Sequence, residues 1–228
     1  MPVASVLLGL SILVIGDSHL STPGYLITTL HDDLTKQGAT VEVLGVCGIQ
    51  PADWVSGATG NCGGAQRLNK GPVKMLTGAA AKTTPIAELV RARKPDLVLV
   101  VMGDTMAAYK QPEFPQTWAW QQVKRLTGAI AKTNTACAWV GPAWGQPDGK
   151  YGKTYERATQ VGQFLSENTV PCTYIDSMAM STPGQWGTID GQHFTGAGYT
   201  AWGQGITQAV MKLPVATAKT TASPAAAK

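Results

Sequence analysis

Short apolar runs rich in Val, Ile and Leu recur along the chain at Ser11 to Ile15, Val41 to Val46, Leu97 to Met102, Ala136 to Val140 and Thr173 to Ile175. Each is short enough to be a strand covered on both faces. Between them lie segments with helical spacing of apolar positions, near Tyr25 to Lys36, Pro85 to Arg93, Thr117 to Lys132, Tyr155 to Asn168 and Ala197 to Met211. This alternation predicts an α/β domain whose five-stranded parallel sheet is joined by right-handed crossovers and flanked by helices. Two boundaries have local causes. Gly38 follows the apolar series Leu26, Leu30, Leu34 and suits a left-handed cap, and Pro95 disfavours helical geometry at Lys94. The Gly- and Ala-rich stretch from Ala52 to Ala81 has little periodicity and reads as a long loop with one short helix at most. The end, 214–228, is mostly Ala, Thr and Lys, so the pattern divides the chain into a folded domain over 1–213 and a disordered tail.

Composition narrows the class. The 228 residues suit one compact domain, and their charged fraction of 14% is low against the roughly 25% usual in soluble domains. The net charge of +4 comes without any block of five basic residues, so a nucleic-acid footprint is not indicated. The apolar stretch Val3 to Ile15 is shorter than the roughly 20 residues that span a bilayer, and no charged side chain precedes it as a signal region would require. Cys47, Cys62, Cys137 and Cys172 lack the close pairs of a zinc site, so neither a metal nor a cofactor is expected. Their separations of 15 and 35 residues suit either two local bridges or four buried thiols.

In an open parallel sheet, ligands bind beyond the carboxyl ends of the strands. Those ends are Gly16-Asp17-Ser18-His19, Gly45-Val46-Cys47-Gly48, Gly103-Asp104-Thr105 and Gly141-Pro142-Ala143-Trp144. Ser18 is placed to cap a helix, or to present its hydroxyl where developing negative charge is favoured. Asp190-Gly191-Gln192-His193, just before the last helix, changes the balance, because a serine nucleophile needs a base and the base an orienting carboxylate. His31 sits in a helix that looks exposed, beside Asp32 and Asp33, which leaves His193 and His19 as candidates.

Gly16-Asp17-Ser18-His19 after a first strand, Gly48 after a second, a Gly103 turn after a third and Asp190-x-x-His193 before the last helix together resemble the SGNH, or GDSL-type, hydrolases. The resemblance runs from about Ser11 to Met211. It implies a three-layer, flavodoxin-like fold with Ser18 as nucleophile, His193 as base and Asp190 as its orienting group. It also implies an oxyanion hole from the N–H groups of Ser18 and Gly48 and an asparagine of the third block. At that third position this chain has Gly103-Asp104-Thr105, where Thr105 replaces the asparagine or Asp104 takes its place in a shifted turn; the Thr105 hydroxyl is expected to donate, the alternatives being that a backbone N–H fills in or that the hole is weaker. An ionised carboxylate there would repel the oxyanion.

Seven Trp against six Tyr and three Phe bear on the substrate. Trp54, Trp144 and Trp186 fall in strand-end loops, where an indole can stack on a sugar ring while polar neighbours, Asp17, His19 and Asp104, take hydroxyls. Trp139 in a strand and Trp202 in the last helix read as core. The look is that of relatives acting on O-acetyl groups of bacterial polysaccharide or peptidoglycan, which are commonly exported to the periplasm or secreted and would favour the disulfides. The expected activity is that of a carbohydrate O-acetylesterase. The alternatives are an O-acetyltransferase of the same Ser-His-Asp chemistry, served by a membrane-bound acetyl-donor partner, and a carbohydrate-binding accessory module with weakened catalysis. A lipase or thioesterase would call for a broader apolar pocket.

Overall fold

A computed structural model of the chain describes residues 6–147 and 149–222. The elements run β1 (Ser11–Gly16), α1 (Leu26–Lys36), β2 (Thr40–Val46), α2 (Asp53–Ser56), β3 (Gly64–Leu68), β4 (Lys74–Leu76), α3 (Ile86–Arg93), β5 (Leu97–Val101), α4 (Asp104–Ala107), α5 (Gln116–Ala131), β6 (Ala136–Val140), α6 (Tyr155–Asn168), β7 (Thr173–Ile175), α7 (Gly196–Val210) and α8 (Pro214–Ala222). The sheet order is β4-β3-β2-β1-β5-β6-β7. β2, β1, β5, β6 and β7 are mutually parallel, and they are the five strands that the apolar runs predict.

Alternate residues of β1 feed two separate cores. Ile12 and Val14 pack with Leu26, Leu30, Tyr199 and Trp202 of α1 and α7, whereas Leu13 and Ile15 pack with Leu89, Val123, Leu126 and Val161 of α3, α5 and α6. The central strands must therefore be apolar on both faces, and every residue of β5 is buried. The result is three layers with a flavodoxin-like strand order, its switch point lying where β1 meets β5.

The structure departs from the expected pattern in three places. The stretch read as a loop contains an antiparallel hairpin, β3 and β4, that extends the sheet beyond β2. Its sequence, Gly64-Ala65-Gln66-Arg67-Leu68 and Lys74-Met75-Leu76, carries too few β-branched or aromatic residues to signal a strand, and pairing with β2 supplies what propensity does not. The tail read as disordered begins as helix α8, anchored by Leu213 and a fully buried Ala216 against the α1 and α7 core; residues 223–228 lie outside the described residues. His31 is buried rather than exposed, its Nε2 within 2.7 Å of the Asn69 carbonyl.

Both local disulfides form. Cys47–Cys62 ties the end of β2 to the approach to β3, and Cys137–Cys172 joins β6 to the entrance of β7. At the carboxyl end of β2 the backbone after β1 presses directly on the sheet. A β-carbon at Gly45 would lie 2.3 Å from the carbonyl carbon and oxygen of Leu20. Gly45→Ala is expected to lower stability by about 1–3 kcal/mol, as overpacking of a rigid contact does, measured by urea denaturation; an unchanged midpoint would mean that Leu20 can move away freely.

Candidate active site

β1 ends at Gly16, and the chain turns at once into a single 3-10 turn, Ser18 to Leu20, before α1 begins. Asp17 caps that turn by accepting from the His19 N–H at 3.2 Å, while Ser21 donates through both its N–H and its hydroxyl to the Ser18 carbonyl. Ser18 is thereby locked at the carboxyl end of β1, 6% exposed.

The segment before α7 comes back over this end of the sheet. A bridge between Thr188 and Phe194 closes a tight loop, with the Ile189 N–H donating to the His193 carbonyl. Asp190 Oδ1 accepts the N–H groups of Gln192 and His193 at 3.1 and 2.8 Å, and its Oδ2 lies 2.8 Å from His193 Nδ1. His193 Nε2 then lies 2.8 Å from Ser18 Oγ. The structure therefore brings Ser18, His193 and Asp190 into one hydrogen-bonded line across 175 residues of sequence. Burial raises the Asp190 carboxyl's affinity for a proton, but the hydrogen bonds from His193 and Gln192 outweigh it and hold its pKa below the usual value. His193 is also held low, first by burial and then by the positive potential of His19, against the opposing pull of Asp190 and Asp104.

A second histidine–carboxylate pair lies beneath the first. His19 Nε2 bonds Asp104 Oδ2, its Nδ1 lies 2.9 Å from the Tyr199 hydroxyl, and its ring is 5.2 Å from that of His193. The other oxygen of Asp104 pairs with the ammonium of Lys153, and both side chains are 2% exposed. Burial works against ionisation of Asp104, but Lys153 and His19 overcome it and keep the carboxyl far below the normal range. Asp17, fully buried beside this pair, is pushed up to about 6, mainly by desolvation.

The segment between β6 and α6 straps the site from above. The Gln146 N–H donates to the Gly191 carbonyl and the Lys150 N–H to that of Asp190, at 2.8 and 2.9 Å. Gly149 and Gly191 cross so closely that a β-carbon on Gly149 would lie 2.4 Å from the Gly191 α-carbon. The phenol ring of Tyr151 meets the His193 ring edge-on at 5.6 Å, and that of Tyr25 lies parallel to it at 5.8 Å. These two tyrosines were not singled out from the sequence; Tyr25, just before α1 at the Ser18 end of the sheet, was the more findable.

Several expected substrate contacts are redirected. Trp54 is fully buried in the α3 and α5 core, and Trp186 is 9% exposed against Phe194. Asp17, His19 and Asp104 are buried too, and serve as a turn cap and as the inner ion-pair network. Trp144 is half-buried, its Nε1 donating to the carbonyls of Met178 and Ser181, so its polar atom is used within the protein. Trp139 and Trp202 are core, as their positions implied. Asp104 faces His19 and Lys153, while Thr105 keeps a buried hydroxyl oxygen with no partner. Gly48 sits beside the Cys47–Cys62 bridge with the Asn61 carboxamide against its α-carbon.

The architecture is that of the SGNH hydrolases. Over 88% of this chain it superimposes on all of the acetyl xylan esterase AlAXEase, with TM-score 0.59 and 15% identity. Over 88% of this chain it also matches 98% of a Slackia heliotrinireducens protein assigned as an SGNH hydrolase, with TM-score 0.57 and 15% identity. The chain matches no established family model. It is 44% identical over 208 residues to Protein BcsX of Komagataeibacter xylinus, covering 91% of this chain and 79% of that protein, and it belongs to the BcsX family.

Removing one partner of a buried pair leaves the other charge uncompensated at a cost of about 3–5 kcal/mol. Lys153→Met is therefore expected to lower unfolding stability by that order in urea denaturation. A loss below about 1 kcal/mol would show that Asp104 needs no ammonium beside it.

Proposed function

We propose that the protein is a serine esterase that removes O-acetyl groups from a carbohydrate polymer through an acetyl-enzyme intermediate. The observation that carries this reading is the line Ser18 Oγ–His193 Nε2 and His193 Nδ1–Asp190 Oδ2, each 2.8 Å, at the carboxyl ends of the sheet. Ser18 Oγ attacks the acetyl carbonyl carbon while its proton passes to His193 Nε2. The carbonyl oxygen takes the negative charge, and the donors proposed for it are the N–H groups of Ser18 and Gly48 and the Thr105 hydroxyl. As the carbon–oxygen bond to the sugar breaks, His193 returns the proton to the departing sugar oxygen. Water then attacks the acetyl-serine, losing a proton to His193, and acetate leaves as Ser18 recovers its proton.

Asp190 keeps Nδ1 of His193 protonated and stabilises the imidazolium formed in each half-reaction. The half-exposed rings around His193, Tyr25 and Tyr151, offer stacking faces for a pyranose in place of the buried Trp54 and Trp186. The acetyl xylan esterase among the structural neighbours supports acetyl as the acyl group. Two disulfides among the described residues support an oxidising location, periplasmic or secreted.

Wild type is expected to release acetate from p-nitrophenyl acetate in buffer alone, and Ser18→Ala to lose at least about 10³ of that rate. Equal rates would remove Ser18 from the chemistry, and Ser18-dependent release only when a sugar acceptor is added would replace hydrolysis by transfer. The pH dependence has a defined sign. His193 accepts the Ser18 proton only when neutral, and the groups facing it are Asp190, His19, Asp104 and the phenols of Tyr25 and Tyr151. Because its folded pKa is depressed, kcat/KM should fall on acidification with a midpoint below 6.5, the value of a free imidazole. The folded state also binds fewer protons than the unfolded chain in that window, so this group's contribution to stability is lost as pH falls through it. A midpoint above 6.5 in a kcat/KM profile would contradict the assignment.

A further inference from the structure

Trp120 stands apart from the other tryptophans. Trp54, Trp139, Trp186 and Trp202 are buried, Trp118 is partly buried against the core and Trp144 spends its N–H within the fold, but Trp120 is 50% exposed on α5. It forms one side of a groove of about 510 Å³ between α5 and α6, within the range of ligand sites in general. The aromatic rings of Phe114 and Phe164, 5.2 Å apart, also line it. Gln160, Gln163 and Glu167 of α6 supply polar groups.

The groove's chemistry selects its occupant. An exposed indole and two phenyl rings suit a ligand with a flat apolar face. Primary amides both donate and accept hydrogen bonds, which is what hydroxyl groups require. No lysine or arginine lines the groove and Glu167 is its single charge, so phosphorylated or carboxylated ligands are disfavoured. The combination matches a neutral polyhydroxylated chain whose pyranose rings present flat C–H faces.

The groove also leads back to the strand ends. A second hollow of about 350 Å³ is lined by Gln50, Thr105, Tyr109, Trp118 and one cation, Lys110, among others. The Tyr109 hydroxyl donates to Gln160 Oε1 at 2.8 Å, so a wall residue of one hollow is bonded to a wall residue of the other. Arg157 stacks on the Tyr109 ring, 4.3 Å from its centroid, and donates to the Tyr109 carbonyl, which fixes this junction. Gln50 and Thr105 follow β2 and β5 at the Ser18 end of the sheet.

We propose that the α5–α6 groove is a second carbohydrate site, holding a stretch of the neutral glycan chain remote from the acetyl group being removed. It deepens the esterase reading, because it makes the substrate a polymer long enough to occupy both places. The site is anchored by Trp120 and oriented by Gln160 and Gln163.

Isothermal calorimetry with xylohexaose, which carries no ester and needs no turnover, tests the site directly. Wild type is expected to bind, and Trp120→Ala to weaken binding about tenfold or more, the size of losing one stacked aromatic face. Trp120→Phe keeps a ring and should recover part of it. On acetylated xylan Trp120→Ala should raise KM by a similar factor at near-constant kcat, while p-nitrophenyl acetate, too small to reach the groove, is hydrolysed as by wild type. Absence of binding to wild type, or wild-type binding and KM in Trp120→Ala, would overturn the site. So would tighter binding of polygalacturonate than of xylohexaose, since it would make the occupant anionic. Failure of the esterase reading shows separately, as small-ester hydrolysis that does not depend on Ser18.

Discussion

The carboxylate of Asp104 is buried at the point where β5 gives way to α4, and a charge there must be compensated from within. Two elements distant in sequence do so: His19 from the turn after β1 and Lys153 from the strap before α6. His19 is held in turn by the Tyr199 hydroxyl of α7. One carboxylate thus ties together the Ser18 turn, the strap and the helix that follows His193. The strap carries the consequence outward, since Gln146 and Lys150 bond the carbonyls of Gly191 and Asp190. The position of Asp190, and through it the orientation of His193, thus connects to a network whose charged groups, Asp104, His19 and Lys153, are all buried.

This network also accounts for the departure at the third strand end. An asparagine amide at that point would donate; a carboxylate left free would repel the oxyanion. Here the carboxylate of Asp104 has turned inward and is neutralised, and its neighbour Thr105 retains a hydroxyl oxygen without a partner. The Gly103-Asp104-Thr105 turn thus sets a paired, inward-facing carboxylate beside a hydroxyl that has no partner. The net charge of +4 bears on none of this, because the three acids and three bases at the site are largely paired with one another.

How much was legible follows from what each residue type can specify. The central strands β1 and β5 were readable because burial on both faces favours Val, Ile and Leu, and β5, Leu97–Val101, has no polar residue at all; β2, β6 and β7, of more mixed sequence, were readable from their apolar runs alternating with helical segments. The β3–β4 hairpin was not readable, because an edge ribbon pinned by the Cys47–Cys62 bridge and by pairing to β2 can be built from Gly, Gln, Arg and Lys. Helix α8 was missed because its Ala and Thr signal little by themselves, while one buried methyl, Ala216, docks it. At the site, the order of Ser18, Asp190 and His193 and the resemblance it carries pointed to the three side chains that the structure joins by hydrogen bonds. Side-chain direction was not: nothing in the letters says that Trp54 points into the core, that Asp17 and Asp104 face inward, or that Tyr25 and Tyr151 bracket His193.

The two histidine–carboxylate pairs show how one end of a sheet assigns different tasks to the same chemistry. Both have a carboxylate on one ring nitrogen, and their rings are 5.2 Å apart. The free nitrogen of His193 meets a serine hydroxyl, whereas that of His19 meets the phenol of Tyr199, held protonated by burial. That phenol is fully buried, so the inner pair has no exposed partner. The carboxylates diverge as well: Asp17, without a cation bonded to it, rises to about 6, while Asp104 and Asp190, each in contact with donors, are lowered. Environments that push like groups apart separate reactive from structural roles. Here the dividing line is position: the outer pair lies against the rings of Tyr25 and Tyr151, and the inner pair is buried with Lys153 and Tyr199.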